Sequence, residues 1–129
     1  MSGAPSSEPR PRRGEVWWMD PDPVRGHEQG GRRPAVVVSV DRLNRSRIGL
    51  VVACPLTRSD APRLLRVPID PPEANLRDPS YVLVEHVRSI SVERLGTRIG
   101  RVRPATAAAI DDRLRRVFGF RAARVGQLT

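Results

Sequence analysis

The chain has 129 residues, a length that fits one domain and leaves little room for a second. Its net charge is +9, and all 23 basic residues are arginine. Arginine binds phosphate through two hydrogen bonds at once and stacks on bases, so this charge favours a polyanion such as nucleic acid.

The numbers of cysteines and histidines exclude an internal disulfide and a zinc cluster. Cys54 is the only cysteine, so the chain has no internal disulfide, and only two histidines accompany it, too few for a zinc cluster. Cys54 lies in the apolar run 50–54, which indicates a buried small hydrophobe rather than a nucleophile. No apolar stretch approaches about 20 residues, and the N-terminus lacks the hydrophobic segment of a secretion signal. We therefore expect a cytoplasmic protein that does not use a membrane.

The first ordered element is expected just after a polar tail. Residues 1–12 are rich in proline, serine and arginine, which predicts a disordered segment before a domain at 13–120 and a flexible tail at 121–129. Alternating apolar residues predict a first strand over 15–20, ended by Pro21-Asp22-Pro23. Trp17 and Trp18 are adjacent in it and point to opposite faces, so we expect at most one in the core. For both, packing in the core or between two copies of the chain is favoured over stacking on nucleic-acid bases.

Five further strands follow the first loop. The β-branched run 34–40 predicts a central strand buried on both faces, and 41–46 predicts a turn or short helical loop. The remaining strands are predicted at 48–56, 64–69, 81–87 and 97–102.

The last element is predicted to be a helix. Pro104 suits a first helical position and Gly119 a C-terminal stop. Between them, the spacing of Ile110, Leu114, Val117 and Phe118 predicts one apolar face. Strands in a row followed by one helix predict a mainly β fold with a C-terminal helix (α+β), a small antiparallel barrel or sandwich.

The loop at 25–33 concentrates groups that can bind or cut a polyanion. It holds an imidazole (His27), a carboxylate (Glu28), an amide (Gln29) and the arginines Arg25, Arg32 and Arg33. Its glycines would let the backbone approach a ligand closely. The chain has no phosphate-binding P-loop, no dinucleotide fingerprint and no paired carboxylates for a two-metal site. An enzyme with this sequence is expected to work without a metal or other cofactor.

Several motifs, in order along the chain, resemble the MazF/PemK-type toxins. They are Arg13-Gly14-Glu15-Val16-Trp17, Gly26-His27-Glu28-Gln29-Gly30-Gly31-Arg32-Arg33-Pro34, Pro55-Leu56-Thr57, and Val82 to Ile90 with Arg94-Leu95. The resemblance covers roughly residues 13–120. It implies an SH3-like barrel of the MazF/CcdB type, a homodimer, and metal-independent, sequence-specific cleavage of single-stranded RNA by a toxin of a type II toxin–antitoxin system. The chain has Glu85-His86 where many members have Asp-Gln, so the nucleotides it reads stay open.

The resemblance also implies roles for particular residues. It places Arg33 and Thr57 as the catalytic pair and implicates Glu28. We expect Arg33 to stabilise the charge that builds up when the 2′-OH attacks the phosphate, and Thr57 to hold that phosphate. Glu28 and His27 remain alternative general bases, and each can instead be a solvated loop residue. The candidate RNA-binding residues are His27, Gln29, Arg25, Arg32 and Arg58.

Two other functions stay open at this point. A gyrase poison of the CcdB type would keep the fold without cutting RNA, and a non-catalytic nucleic-acid-binding barrel would fit the charge equally well. The resemblance implies one protein partner, a cognate antitoxin whose acidic, disordered segment folds onto the basic groove and competes with RNA.

Overall fold

The computed structural model describes residues 10–20, 31–59 and 65–121, and its strands form one curled antiparallel sheet. The strands are β1 Glu15–Met19, β2 Arg33–Val37, β3 Leu50–Thr57, β4 Val67–Ile69, β5 Ser80–Val82, β6 Arg88–Ser91 and β7 Leu95–Arg101. The helices are α1 Asp41–Asn44 and α2 Pro104–Phe118, with 3₁₀ turns at Glu73–Asn75, Val84–His86 and Val92–Arg94. The predicted mainly β fold with a C-terminal helix is confirmed.

Strands β2 and β3 lie in the middle of the sheet. The order is β4-β5-β3-β2-β1-β7, and β6 continues the line of β5 along the same side of β3. The predicted central strand is confirmed, because Ala35, Val36 and Val37 on β2 are all buried. Their neighbours on β1 and β3 are buried as well, so both faces of this part of the sheet are covered.

The core has two halves, one on each face of the sheet. Val16, Val36 and Cys54 point to the face that α2 covers through Ile110. Trp17, together with the alternate residues of the neighbouring strands, points to the opposite face. Because successive side chains of a strand alternate between faces, β1 and β2 fill both halves.

One predicted strand, 81–87, is wrong beyond Val82. Leu56 of β3 pairs with Val82 of β5, whereas Val51 of β3 pairs with Ile90 of β6. In one unbroken antiparallel register Val51 would pair with residue 87, so the register shifts by three residues between β5 and β6. The 3₁₀ turn Val84–His86 takes up those three residues, and β6, which was not predicted as a separate strand, follows it. An alternating pattern cannot reveal such a shift, because the partner strand sets it.

Helix α2 begins at Pro104 and ends at Gly119, whose φ of +74° is the left-handed cap that glycine favours, so both predicted ends are confirmed. Ile110 is buried and Leu114 packs beside it. Phe118 does not join this face: its side chain is exposed and stacks on Phe120, with 5.6 Å between the ring centres. The helix extends past the core at this end.

The predicted tails fall largely outside the described residues. Of the N-terminal segment 1–12, the described part includes Pro11, which is fully buried, and Arg12, whose backbone N–H donates to Glu15. No helix in the described part of the chain is long and apolar enough to cross a membrane.

Candidate functional site

Strand register brings Arg33 and Thr57 to facing positions. Ala35 pairs with Pro55, and the pairing continues through Cys54 and Ala53 with one constant register. Extending that register by two residues sets Arg33, the first residue of β2, opposite Thr57, the last residue of β3. Facing side chains of an antiparallel pair start about 5 Å apart, so the guanidinium and the hydroxyl can reach one phosphate.

These strand ends open into a broad groove that holds four of the predicted site residues, Arg32, Arg33, Thr57 and Arg58. The other wall comes from the segment between the first 3₁₀ turn and β5, and one end comes from β1 and β7. The predicted loop residues Arg25, His27, Glu28 and Gln29 lie outside the described residues, so their roles stay predictions.

The guanidinium of Arg33 is available for a ligand. The side chain is exposed, and within residues 10–20, 31–59 and 65–121 it has no hydrogen-bond or ion-pair partner. Pro34 follows it and holds the residue in extended geometry, as predicted. A cation of this kind, already aimed into a groove, is suited to an anionic ligand.

The hydroxyl of Thr57 keeps a proton to donate. Its oxygen accepts the backbone N–H of Ser59 at 3.2 Å, and this contact limits how the side chain can rotate. The residue is partly buried. Because a hydroxyl both accepts and donates, Thr57 can still give a hydrogen bond to a phosphoryl oxygen.

Arg32 is held at the end of the groove next to β1. Its Nε lies 3.2 Å from the carboxylate of Asp20, and its Nη2 rests against Gly96 so closely that a methyl group there would collide with it. Arg94 donates to the backbone carbonyl of Asp20 at 2.8 Å and lines the same end. Both guanidinium groups are thus positioned by Asp20, which directly follows β1.

Arg58 lies across the groove from this end and pairs with Asp78. Its Nη1 is 3.4 Å from the Asp78 carboxylate, and both side chains are well exposed. An exposed pair of this length contributes little to stability, so it can yield to a stronger anion such as phosphate.

The sequence interpretation missed several lining residues. Among the described residues, six arginines line the groove and Asp78 is its only carboxylate; the arginines are Arg32, Arg33, Arg58, Arg77, Arg88 and Arg94. Such an excess attracts a polyanion. Arg88 faces Ala53 across β3 and β6, which places it on the same sheet face as Thr57, but this pairing could not be foreseen without β6.

Two other residues occupy different places from those expected. His86 was expected to alternate along a strand, but it lies in a 3₁₀ turn, exposed at the groove. Trp17 is buried, whereas Trp18 is half-buried and lines the groove beside Gly96. The prediction that at most one tryptophan would be core is confirmed.

Cys54 takes no part in this chemistry. Its side chain is fully buried, and burial, aided by the negative charge of Glu85, raises the pKa of its thiol to about 12. Because only the thiolate attacks, Cys54 is not a nucleophile near neutral pH. Among the described residues, no three histidine, cysteine or acidic side chains converge as a metal-ion site would require.

Known proteins share this fold and much of this sequence. The endoribonuclease MazF9 of Mycobacterium tuberculosis is 38% identical over 109 residues, which cover 81% of this chain and 92% of the relative. A chain of the MazE-MazF (Form-II) crystal structure from Deinococcus radiodurans superposes with a TM-score of 0.76 at 29% identity, covering 88% of this chain and all of that one. An endoribonuclease solved in complex with its cognate antitoxin from a Mycobacterial species gives a TM-score of 0.72 at 27% identity, with 88% and 99% covered. The family model of PemK-like, MazF-like toxins of type II toxin–antitoxin systems matches residues 12–118. The chain therefore belongs to the PemK-like, MazF-like toxin family.

Proposed function

We propose that this protein is the toxin of a type II toxin–antitoxin system and a sequence-specific endoribonuclease that cuts single-stranded RNA, including mRNA. The observation that carries the proposal is the facing pair Arg33 and Thr57 at the strand ends, inside a groove lined by arginine. The 38% identity to an endoribonuclease of the same family supports the same activity.

RNA supplies its own nucleophile, the 2′-OH next to the scissile phosphate. The enzyme needs to align it, to stabilise the added negative charge and to move two protons. Arg33 supplies a fixed cation to the two non-bridging oxygens of the phosphorane-like transition state. The Thr57 hydroxyl donates to one of the same oxygens and holds the phosphorus in line with the 2′-OH. This assignment requires no metal ion.

The proton acceptor is proposed to come from the loop at 25–32. Glu28 or His27 would take the 2′-OH proton as the 2′-oxygen bonds to phosphorus. The P–O5′ bond then breaks, and the leaving 5′-oxygen takes a proton from the protonated base or from water, which gives a 2′,3′-cyclic phosphate and a 5′-hydroxyl. Arg25, Gln29 and Arg32 would bind RNA beside the cleavage site. Arg58 is assigned to a flanking phosphate, for which it would exchange its exposed partner Asp78.

Cleavage of mixed-sequence RNA in EDTA tests the proposal directly. We expect fragments with 5′-hydroxyl ends, no cutting of the matching DNA, and loss of cutting in Arg33→Ala. Arg47→Ala removes the same charge from an exposed position that does not line the groove, and it should cut normally. Wild-type protein that binds RNA without cutting it would instead indicate a non-catalytic barrel. Inhibition of gyrase without RNA cleavage would indicate a CcdB-like poison.

We further propose that the chain folds as an SH3-like barrel and forms a homodimer in the cytoplasm. An acidic antitoxin segment would bind across the arginine groove. Exposed apolar side chains offer surface for a second copy, and they are Val40, Ile48, Leu50, Phe118 and Phe120. Light scattering of the purified toxin should give twice the chain mass. Adding the antitoxin should inhibit cleavage competitively with RNA.

A further inference from the structure

The wall of the groove opposite β2 and β3 contains strained backbone. Ala74 and Asn75 both have a φ of +58°, a region that residues other than glycine rarely adopt. Such a conformation is energetically unfavourable and persists only where its surroundings hold it. We call Glu73–Asp78, which contains both residues, the buttressed segment.

Three separate contacts hold the buttressed segment in place. The buried carboxylate of Glu73 accepts the backbone N–H of Arg103 at 2.8 Å and its guanidinium at 3.1 Å. The amide of Asn75 donates to the backbone carbonyl of Ile99 at 2.9 Å. Gly100 lets the carbonyl of Ala74 approach so closely that any side chain there would collide with it. The first half of the segment, Glu73–Asn75, is therefore fixed to β7 and to the start of α2.

The side of this segment that faces the groove carries Arg77. The residue is exposed, and no described residue forms a hydrogen bond or ion pair with its guanidinium. The neighbouring carboxylate of Asp78 is engaged by Arg58, which directly follows Thr57. Within the described residues Arg77 is thus an unpaired cation two residues beyond the held turn Glu73–Asn75, and the neighbouring Arg58–Asp78 ion pair links this wall to the end of β3.

We propose that Arg77 forms a second phosphate subsite, which binds a neighbouring phosphodiester of the same RNA strand while Arg33 and Thr57 act on the scissile one. This inference rests on the proposed ribonuclease function. Because the backbone of the neighbouring turn is already held, binding costs mainly the freedom of the Arg77 side chain. The subsite would set how the strand lies across the groove, and so contribute to substrate affinity rather than to the chemical step.

The test uses a short single-stranded RNA with a 2′-deoxy residue at the mapped cleavage site, so that it binds without being cut. Fluorescence anisotropy is measured over a range of salt concentrations for wild type, Arg77→Ala, Arg77→Lys and the charge-matched control Arg47→Ala. We expect about tenfold weaker binding for Arg77→Ala, and a log–log salt slope smaller by about 0.7. Arg77→Lys should keep the slope, and Arg47→Ala should match wild type. With cleavable RNA, Arg77→Ala should raise KM and leave kcat unchanged.

Gly100→Ala provides an independent variant, because it keeps every charge but displaces the wall on which Arg77 stands. This variant should bind RNA more weakly than wild type, and its affinity should still fall with salt concentration because the other arginines of the groove are unchanged. Circular dichroism checks that it is folded. If Arg77→Ala binds RNA as Arg47→Ala does while wild type cuts RNA, the subsite is refuted and the ribonuclease function stands. If Arg77→Ala weakens binding of poly-glutamate but not of RNA, the wall binds acidic peptide and the inference is equally refuted. Wild-type protein that neither binds nor cuts RNA would instead refute the proposed function.

Discussion

Replacement of Glu73 by alanine should destabilise the fold more than the same replacement of any exposed carboxylate. Its side chain is 3% exposed and accepts hydrogen bonds from the Arg103 backbone, the Arg103 guanidinium and the Thr106 hydroxyl. Glu73→Ala leaves the backbone N–H of Arg103 and the hydroxyl of Thr106 without their acceptor, at the first turn of α2. The change therefore affects the helix start and the buttressed segment together.

The size of the effect follows from those contacts. The Arg103 side chain is 72% exposed, so its ion pair contributes little. The backbone N–H of Arg103, in a part-buried contact, and the buried Thr106 hydroxyl each lose a hydrogen bond to a charged group, worth about 1.5–3 kcal/mol. We expect a loss of about 3 kcal/mol in the free energy of unfolding, because release of strain at Ala74 and Asn75 offsets part of the cost. For a domain of this size that corresponds to a drop of roughly 12 °C in Tm.

Urea unfolding followed by circular dichroism measures this loss, and Glu93→Ala is the matched control. Glu93 is an exposed glutamate in another 3₁₀ turn, and its removal should change stability by less than about 0.5 kcal/mol. Glu73→Gln retains one acceptor oxygen and should fall between the two. If Glu73→Ala is no less stable than Glu93→Ala, the argument that Glu73 holds this wall of the groove is wrong.

Three further predictions concern stability and reactivity. Burial tends to raise the pKa of both Glu15 and Glu73, but hydrogen bonds from Arg12 and Arg103 backbone N–H groups, with their other partners, outweigh it and lower both pKa values below 4.5. This stabilisation is therefore complete above about pH 4.5 and is lost as pH falls through the lowered values, so the urea midpoint should decline below pH 4.5, and less steeply in Glu73→Gln. Gly100→Ala should lower the free energy of unfolding by about 1–3 kcal/mol, because the new methyl meets the backbone of Ala74. Gly96→Ala should lower it clearly less, because its methyl meets only the terminal guanidinium of Arg32, which can shift by giving up an exposed ion pair; equal losses in urea would contradict this. Cys54 should react with a thiol reagent such as DTNB only after unfolding, and rapid labelling of the native protein would show that the thiol is not buried as described.

Local patterns predicted much of the fold. The β-branched run of β2 and the apolar spacing of α2 with its proline start and glycine end were interpreted correctly, because each depends on residues close together in the chain. The break between β5 and β6 was not predicted, since it reflects a three-residue shift in pairing with β3. Phe118 was misplaced for a similar reason: its spacing fits the apolar face, but the core ends before it.

The candidate site was only partly predictable from the sequence. The resemblance implied a catalytic role for Arg33 and Thr57, but it could not show that strand register sets them opposite each other. No local signal marked Arg77, because its proposed role depends on the wall that Ala74 and Asn75 form and on a glycine in β7 that lets this wall approach.

Short-range patterns in the chain located most of the strands, the C-terminal helix, the basic charge and the family resemblance. The set of arginines that share one groove, the break between β5 and β6 and the pairing of facing residues emerged only from the fold. Propensity and alternation act over a few neighbouring residues, whereas register and sheet closure depend on packing between segments far apart in the chain.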